Sequence, residues 1–137
     1  MSTNFPECPA WFNEGLGSLY EQSSERDGEI IGLTNWRLAG LQEALRAGEV
    51  PSFERLTATT DEEFYDRDPG SNYAQARYLL YYLQERGLLH QYYRRFRASV
   101  AADPTGYQTL RSILETDDMD AFFATWRDYV LALEFAG

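Results

Sequence analysis

Pro9-Ala10-Trp11-Phe12-Asn13-Glu14-Gly15-Leu16-Gly17-Ser18-Leu19-Tyr20-Glu21 is the stretch around which the chain is organised. Pro9 signals a helix start: at a first helical position it gives up only an N–H that has no partner there, and its φ is already set. Trp11, Leu16, Leu19 and Tyr20 then fall where a face turned to a core would place them. Glu14 and Glu21 stand on one side of this helix two turns apart, with Gly17 and Ser18 leaving space beside them. Two acids over small residues mark a candidate site.

Outward from that helix, expected over residues 9 to about 22, the chain reads as a series of further helices. Ser23-Ser24 and the turn signal Asp27-Gly28 end the first, and Glu29-Ile30-Ile31-Gly32-Leu33 is short enough to be a lone strand or an extended connector. Thr34 or Asn35 is a suitable N-cap for a second helix, with Trp36, Leu38, Leu41 and Leu45 as its apolar face and an end near Ala47-Gly48. Pro51 restarts the chain into a short helix with Phe53 and Leu56. Thr60-Asp61-Glu62-Glu63 has the capping-box form and predicts another short turn carrying Phe64 and Tyr65 before Asp68-Pro69-Gly70 interrupts the chain.

Ser71 or Asn72 is the expected cap of the next helix and Gly87 its end, with Ala76, Leu79, Leu80 and Leu83 as the buried stripe. Leu88, Leu89, Tyr92, Tyr93 and Phe96 line the helix after it, whose far end carries Arg94, Arg95 and Arg97. Asp103-Pro104-Thr105-Gly106 is a turn leading into a helix from about 107 to 115 with Leu110, Ile113 and Leu114 inward. Thr116 or Asp117 should cap the last helix, with Phe122, Phe123, Trp126, Tyr129, Val130 and Leu133 on its apolar side. No repeat or interior linker interrupts the pattern, so residues 1–137 read as one mainly α domain.

Composition narrows the function. Of the 137 residues 44% are apolar and 15% aromatic, enough for a packed core, and no run approaches the ~20 apolar residues of a membrane span. Met1-Ser2-Thr3-Asn4 has neither the basic nor the apolar part of a signal peptide, so the chain reads as soluble. A net charge of −10 argues against nucleic acid as a partner. Residues 73 to 102 carry five arginines and one acid between two acidic segments, and charge matching between packed helices is the expected reason. The single cysteine, Cys8, excludes an internal disulfide and any cysteine cluster, and reads as structural.

Trp11-Phe12-Asn13-Glu14-Gly15, followed by Leu16-Gly17 and an acid at Glu21, resembles the third-ligand helix of the gluzincin zinc metallopeptidases, W-[LF]-x-E-G-[LF]-[AG]. The resemblance implies that Glu14 is a zinc ligand and that Glu21 supports the metal site from behind the ligands. The family's other two ligands come from an upstream H-E-x-x-H helix. Thirteen residues precede Glu14, none of them histidine, and the one histidine of the chain is His90. A second similarity lies in Tyr73-Ala74-Gln75-Ala76, which resembles the family's Tyr-x-x-[GA] stretch and implies that Tyr73 stabilises the oxyanion of a tetrahedral intermediate. Gln75 and Ala76 stand where the family commonly has Lys and Gly.

The expectation is therefore the C-terminal helical half of a gluzincin-like metallopeptidase, active on peptides only when an upstream segment supplies H-E-x-x-H, and without a tight zinc site of its own. A rival expectation is a stand-alone, non-catalytic helical interaction module that dimerises through the first helix. A third is an enzyme or anion site built on Arg94, Arg95 and Arg97, for which no nucleophile or base is recognisable.

Overall fold

The computed structural model describes residues 8–20, 23–26, 29–32, 34, 36–66 and 69–135. Among them lie eight helices and one two-stranded antiparallel sheet, in the order α1 (Ala10–Leu19), β1 (Ser23–Arg26), β2 (Glu29–Gly32), α2 (Arg37–Arg46), α3 (Phe53–Thr57), α4 (Asp61–Asp66), α5 (Pro69–Glu85), α6 (Leu89–Ser99), α7 (Tyr107–Leu114) and α8 (Met119–Leu131). The fold is mainly α, as the periodicity predicts. The expected lone strand at residues 29–33 is one arm of a hairpin, in which Ser23 pairs with Gly32 and Arg26 with Glu29.

Helix α5 is the hub: α1, α2, α4, α6 and α8 all pack against it. Its residues 74–80 are buried without interruption, so this helix is enclosed on every side rather than on one stripe. The predicted stripe Ala76, Leu79, Leu80 and Leu83 is wholly buried, and so is Arg77, whose guanidinium lies 5.7 Å from the Tyr78 ring. Gly87 ends α5 with φ +73°: the N–H of Leu88 donates to Leu83 O and that of Gly87 to Gln84 O, which satisfies carbonyls the helix end leaves without partners.

The tightest approach is between α1 and α5. A Cβ on Gly15 would stand 2.9 Å from Ala76 Cβ and 3.2 Å from the Ala76 backbone carbon. The two helices therefore meet across a glycine and an alanine. The buried face of α1 is Trp11, Phe12, Gly15, Ser18 and Leu19, with Leu16 and Tyr20 only half-buried, so the helix is turned towards Phe12 and Gly15 relative to the face expected from sequence. Phe12 sits among Trp11, Tyr92, Tyr93 and Phe96 at ring separations of 5.5 to 6.1 Å. A second aromatic group joins Phe53 to Phe122, Phe123 and Trp126.

Pro9 lies one position outside α1, at its N-cap, with ψ 157°. The N–H of Ala10 consequently needs an acceptor, and Asp61 of α4 supplies one through Oδ1 at 3.2 Å. The capping box at Thr60 forms as predicted: Thr60 N–H donates to Glu63 Oε1 and Glu63 N–H to Thr60 Oγ. Other helix starts differ from expectation. Helix α5 begins at Pro69, which suits a first helical position, and Asn72 lies within it, its amide donating to Phe64 O at the end of α4. Helix α8 is capped by Asp118, whose Oδ1 accepts from Ala121 N–H, because Thr116 Oγ accepts instead from Asp118 N–H. Thr34 donates to Glu134 O and Trp36 occupies the N-cap of α2; Asn35 falls outside the described residues. Trp36, expected on the core face of α2, is 62% exposed.

The two glycines of α1 make a paired test. Gly15→Ala is expected to destabilise the fold by about 1–3 kcal/mol, because the added methyl meets Ala76 and its backbone. Gly17→Ala adds a Cβ that meets nothing within 4 Å, and should stabilise by about 0.5–1 kcal/mol through helix propensity. Urea unfolding of both variants checks the sign of each; equal effects would place the α1–α5 approach elsewhere.

Candidate functional site

The Gly15–Ala76 contact fixes what stands beside it. Glu14 precedes Gly15 on α1, and Tyr73 lies one turn before Ala76 on α5. Both are half-buried. Beside Glu14 stands a residue that no motif in the sequence marks. Tyr65 of α4 is 44% exposed, and its hydroxyl donates to Glu14 Oε2 at 2.7 Å.

Phe64, wholly buried, holds its ring 5.2 Å from that of Tyr73, so α4 touches both partners. The Tyr65 pKa is pushed up to about 12, first by the hydrogen bond to Glu14, which the neutral phenol alone can donate, and then by desolvation and by the Glu14 charge; Tyr73 and Asp61 add to the same direction. Arg37 completes the neighbourhood, with its guanidinium 4.2 Å from the Trp36 ring centroid and 5.2 Å from that of Tyr73. The site is thus a carboxylate, two phenols and a guanidinium on adjacent faces of α1, α4, α5 and α2.

Of the residues singled out from sequence, Glu14 and Tyr73 are brought to one neighbourhood. Glu21 lies outside the described residues. His90 is exposed on α6, and no group of three His, Cys, Asp or Glu side chains able to hold a metal is present among the described residues. Glu14 contributes one carboxylate: Tyr65 engages Oε2, and Oε1 has no protein donor among the described residues. Gln75, at the position where the resemblance sets a lysine, is 1% exposed and donates through Nε2 to Pro51 O at 2.7 Å. It is a structural pin between α5 and the loop before α3.

Cys8 behaves as the sequence suggests. Burial pushes its thiol up to about 12, against a lowering by the Asn13 backbone N–H and with a smaller rise from Asp61, which keeps it neutral. Arg94, Arg95 and Arg97 are all exposed, and none has an ion-pair partner among the described residues; Arg95 reaches only Ser112 Oγ, at 3.5 Å. The expected charge matching between packed helices is absent at these three.

Comparison with protein-family models, with curated proteins and with solved structures found no match.

Two titrations follow. In a ¹³Cζ-tyrosine NMR titration Tyr65 should ionise near pH 12, and in Glu14→Gln its midpoint should move down towards the ordinary value of 10.0; an unmoved midpoint would remove Glu14 as the cause. Alkylation of Cys8 by iodoacetamide at pH 8 should be far slower in the folded than in the urea-unfolded chain, because the unfolded thiol titrates near 9.0 and the folded one near 12; similar rates would contradict the half-buried, neutral thiol.

Proposed function

We propose that this chain is the C-terminal helical part of a gluzincin-type zinc metallopeptidase, in which Glu14 is the carboxylate ligand and Tyr73 the phenol that meets the oxyanion. The observation that carries the reading is the Gly15–Ala76 contact: it brings together the two stretches recognised separately in the sequence, with Glu14 bonded by Tyr65 of α4 and Tyr73 packed on the adjacent Phe64. Neither motif's glycine-or-alanine position needs a substrate to account for it.

The donor set fits zinc in part. A catalytic zinc takes three protein ligands and leaves a position for water. Glu14 offers one, half-buried, with one oxygen engaged by Tyr65. The remaining ligands, and the general-base Glu, would come from an H-E-x-x-H segment outside this chain, which alone should be inactive. Zinc, when bound, supplies a Lewis acid and lowers the pKa of its water towards ~7.

This chain's residues then have separable tasks. Glu14 offers negative charge at a fixed place. Tyr73, its ring held by Phe64 and Arg37, offers an O–H to the oxygen on which charge develops; a preorganised donor of this kind is worth about 10²–10³ in rate. Gly17 lies three residues after Glu14, and its exposed Cα leaves room for another element to come close.

A second reading, a non-catalytic helical interaction module, draws on a different place. Trp36 stands at a groove of about 370 Å³ lined also by Leu38, Gln42, Leu133 and Phe135. The first-helix dimer has less to recommend it, because Trp11 and Phe12 are buried in the core.

Zinc titration decides between the readings. The chain by itself should show no one-to-one site of micromolar or tighter affinity. Joined to an H-E-x-x-H segment it should bind zinc tightly, lose that binding in Glu14→Gln, and lose about 10²–10³ in peptide hydrolysis in Tyr73→Phe. A native protein with no H-E-x-x-H in the same chain or in a bound partner would end the metallopeptidase reading and turn attention to the Trp36 groove.

A further inference from the structure

Helix α2 presents an outer strip that the described fold leaves uncovered. Trp36, at its N-cap, is 62% exposed although the Arg37 guanidinium stands 4.2 Å from its ring centroid. Ala39 and Gly40, one turn on, are exposed, and a Cβ added at Gly40 would meet nothing within 4 Å. Trp36, Ala39, Gly40 and Glu43 recur at helical spacing and so share one side of α2. Beside this strip runs a groove of about 370 Å³ whose other wall is the chain after α8, at Leu133 and Phe135. Both walls are fixed: Gln42 donates to Val130 O and Leu133 O, each at 2.9 Å, and Thr34 donates to Glu134 O at 3.0 Å. An apolar cavity of about 150 Å³ takes a benzene ring, so the groove has room for an indole.

We infer that a second copy of this chain covers the strip, the two α2 helices crossing antiparallel at Ala39–Gly40 and each copy's Trp36 seated in the groove of the other. The inference rests on reading the Trp36 groove as an interaction surface, and it needs no role for Glu14 or Tyr73. Charge selects the occupant. The chain carries a net charge of −10, so two copies repel wherever acidic faces meet. Helix α2 with residues 132–135 sets Arg37 and Arg46 against Glu43 and Glu134, and this face is balanced. By contrast α4 exposes only acids, Asp61, Glu62 and Asp66, and α6 exposes Arg94, Arg95 and Arg97 with no acid among them. A partner of opposite charge would be drawn to one of those faces; a partner with this chain's own charge meets least repulsion at α2. In a two-fold contact each surface meets its own image. With the axis at Ala39–Gly40, position 36 of one copy lies opposite position 43 of the other, which brings each indole beside the Gln42–Leu133 end of the facing groove. The missing Cβ of Gly40 lets the two backbones come close there.

Gly40→Arg and Trp36→Ser test the contact. The open space around Gly40 accepts the arginine within one copy while the crossing does not, so its circular dichroism should match that of wild type. Sedimentation equilibrium of the full chain should show monomers and dimers exchanging in the micromolar range, since one helix and a short tail make an interface at the small end of the scale. Each variant should raise the dissociation constant about tenfold or more. Free indole, as a probe of the groove, should weaken the dimer and shift the NMR signals of the Gln42 side-chain amide and the Leu133 methyl groups.

Wild type that stays monomeric at about 1 mM overturns the second copy as the occupant. A dimer that either variant leaves intact overturns it too, since the contact would then lie on another face. Indole separates these failures from failure of the reading beneath them. Shifts at Gln42 and Leu133 in a monomeric chain keep the groove as an interaction surface for a different partner, whereas their absence removes the groove along with the dimer.

Discussion

The structure depends on how closely α1 comes to α5. With no side chain at residue 15 and a methyl at 76, two helix backbones approach to a separation at which even one more methyl group would stand 2.9 Å from its neighbour. That approach seals Trp11, Phe12 and Leu19 into the core and encloses α5 on a side that would otherwise meet water. It also determines which residues emerge beside the crossing. Glu14 and Tyr73 are placed by backbone geometry, through residues one and three positions away, so the candidate site follows from the packing of the fold.

The remaining elements are fixed by side-chain donors that reach main-chain oxygens far away in sequence. Trp11 Nε1 donates to Thr105 O, Trp126 Nε1 to Tyr78 O, Gln75 to Pro51 O, and Gln42 to both Val130 O and Leu133 O near the end of α8. Tyr92, whose ring lies 6.4 Å from that of Trp11, adds a bond from its hydroxyl to Gly106 O in the same turn. Thr105 O, Pro51 O and Leu133 O lie in loops or past a helix end, where a buried carbonyl without a bond would cost on the order of 1–3 kcal/mol, whereas Tyr78 O lies mid-helix in α5 and takes the indole N–H as an additional donor. An indole suits this work because it combines bulk for the core with one directed N–H, and a glutamine amide because its two N–H groups can tie two carbonyls at once, as Gln42 does.

This division explains what was legible in the sequence. Local rules held where the deciding interaction is local: the Thr60–Glu63 capping box, the Gly87 stop after α5, the turn at Asp103 to Gly106, and the Ala76, Leu79, Leu80, Leu83 stripe. They failed where the partner is remote. Pro9 sits outside its helix, and the Ala10 N–H that this leaves exposed as a donor is met by Asp61, fifty-one residues beyond Ala10. Trp36 belongs by periodicity to a core face, yet stands in solvent as the cap of α2 with Arg37 against its ring. Gln75, which stands where the resembled family commonly has Lys, is a buried pin to Pro51 O. Tyr65 had no signal at all, since nothing in Phe64-Tyr65 reports that Glu14 lies across from it. The Glu14 and Tyr73 motifs were readable as strings; that they meet was not, because their meeting is a property of Gly15 and Ala76.

The two glycines of α1 carry the argument one step further. Gly15 is required by this chain: its missing Cβ is the space that Ala76 occupies. Gly17, two residues on, is required by nothing in the described structure, and glycine inside a helix costs about 1 kcal/mol relative to alanine. A helix that carries both has one side shaped by its own core and another left bare next to Glu14. Relief of crowding accounts for the first and cannot account for the second. A bare backbone beside a half-buried carboxylate with one oxygen engaged is what close approach by a further element, bringing the other ligands, would need. On that view Gly17 is to the proposed upstream segment what Gly15 is to α5: the place where two backbones come together so that polar groups on either side of the contact share a small space.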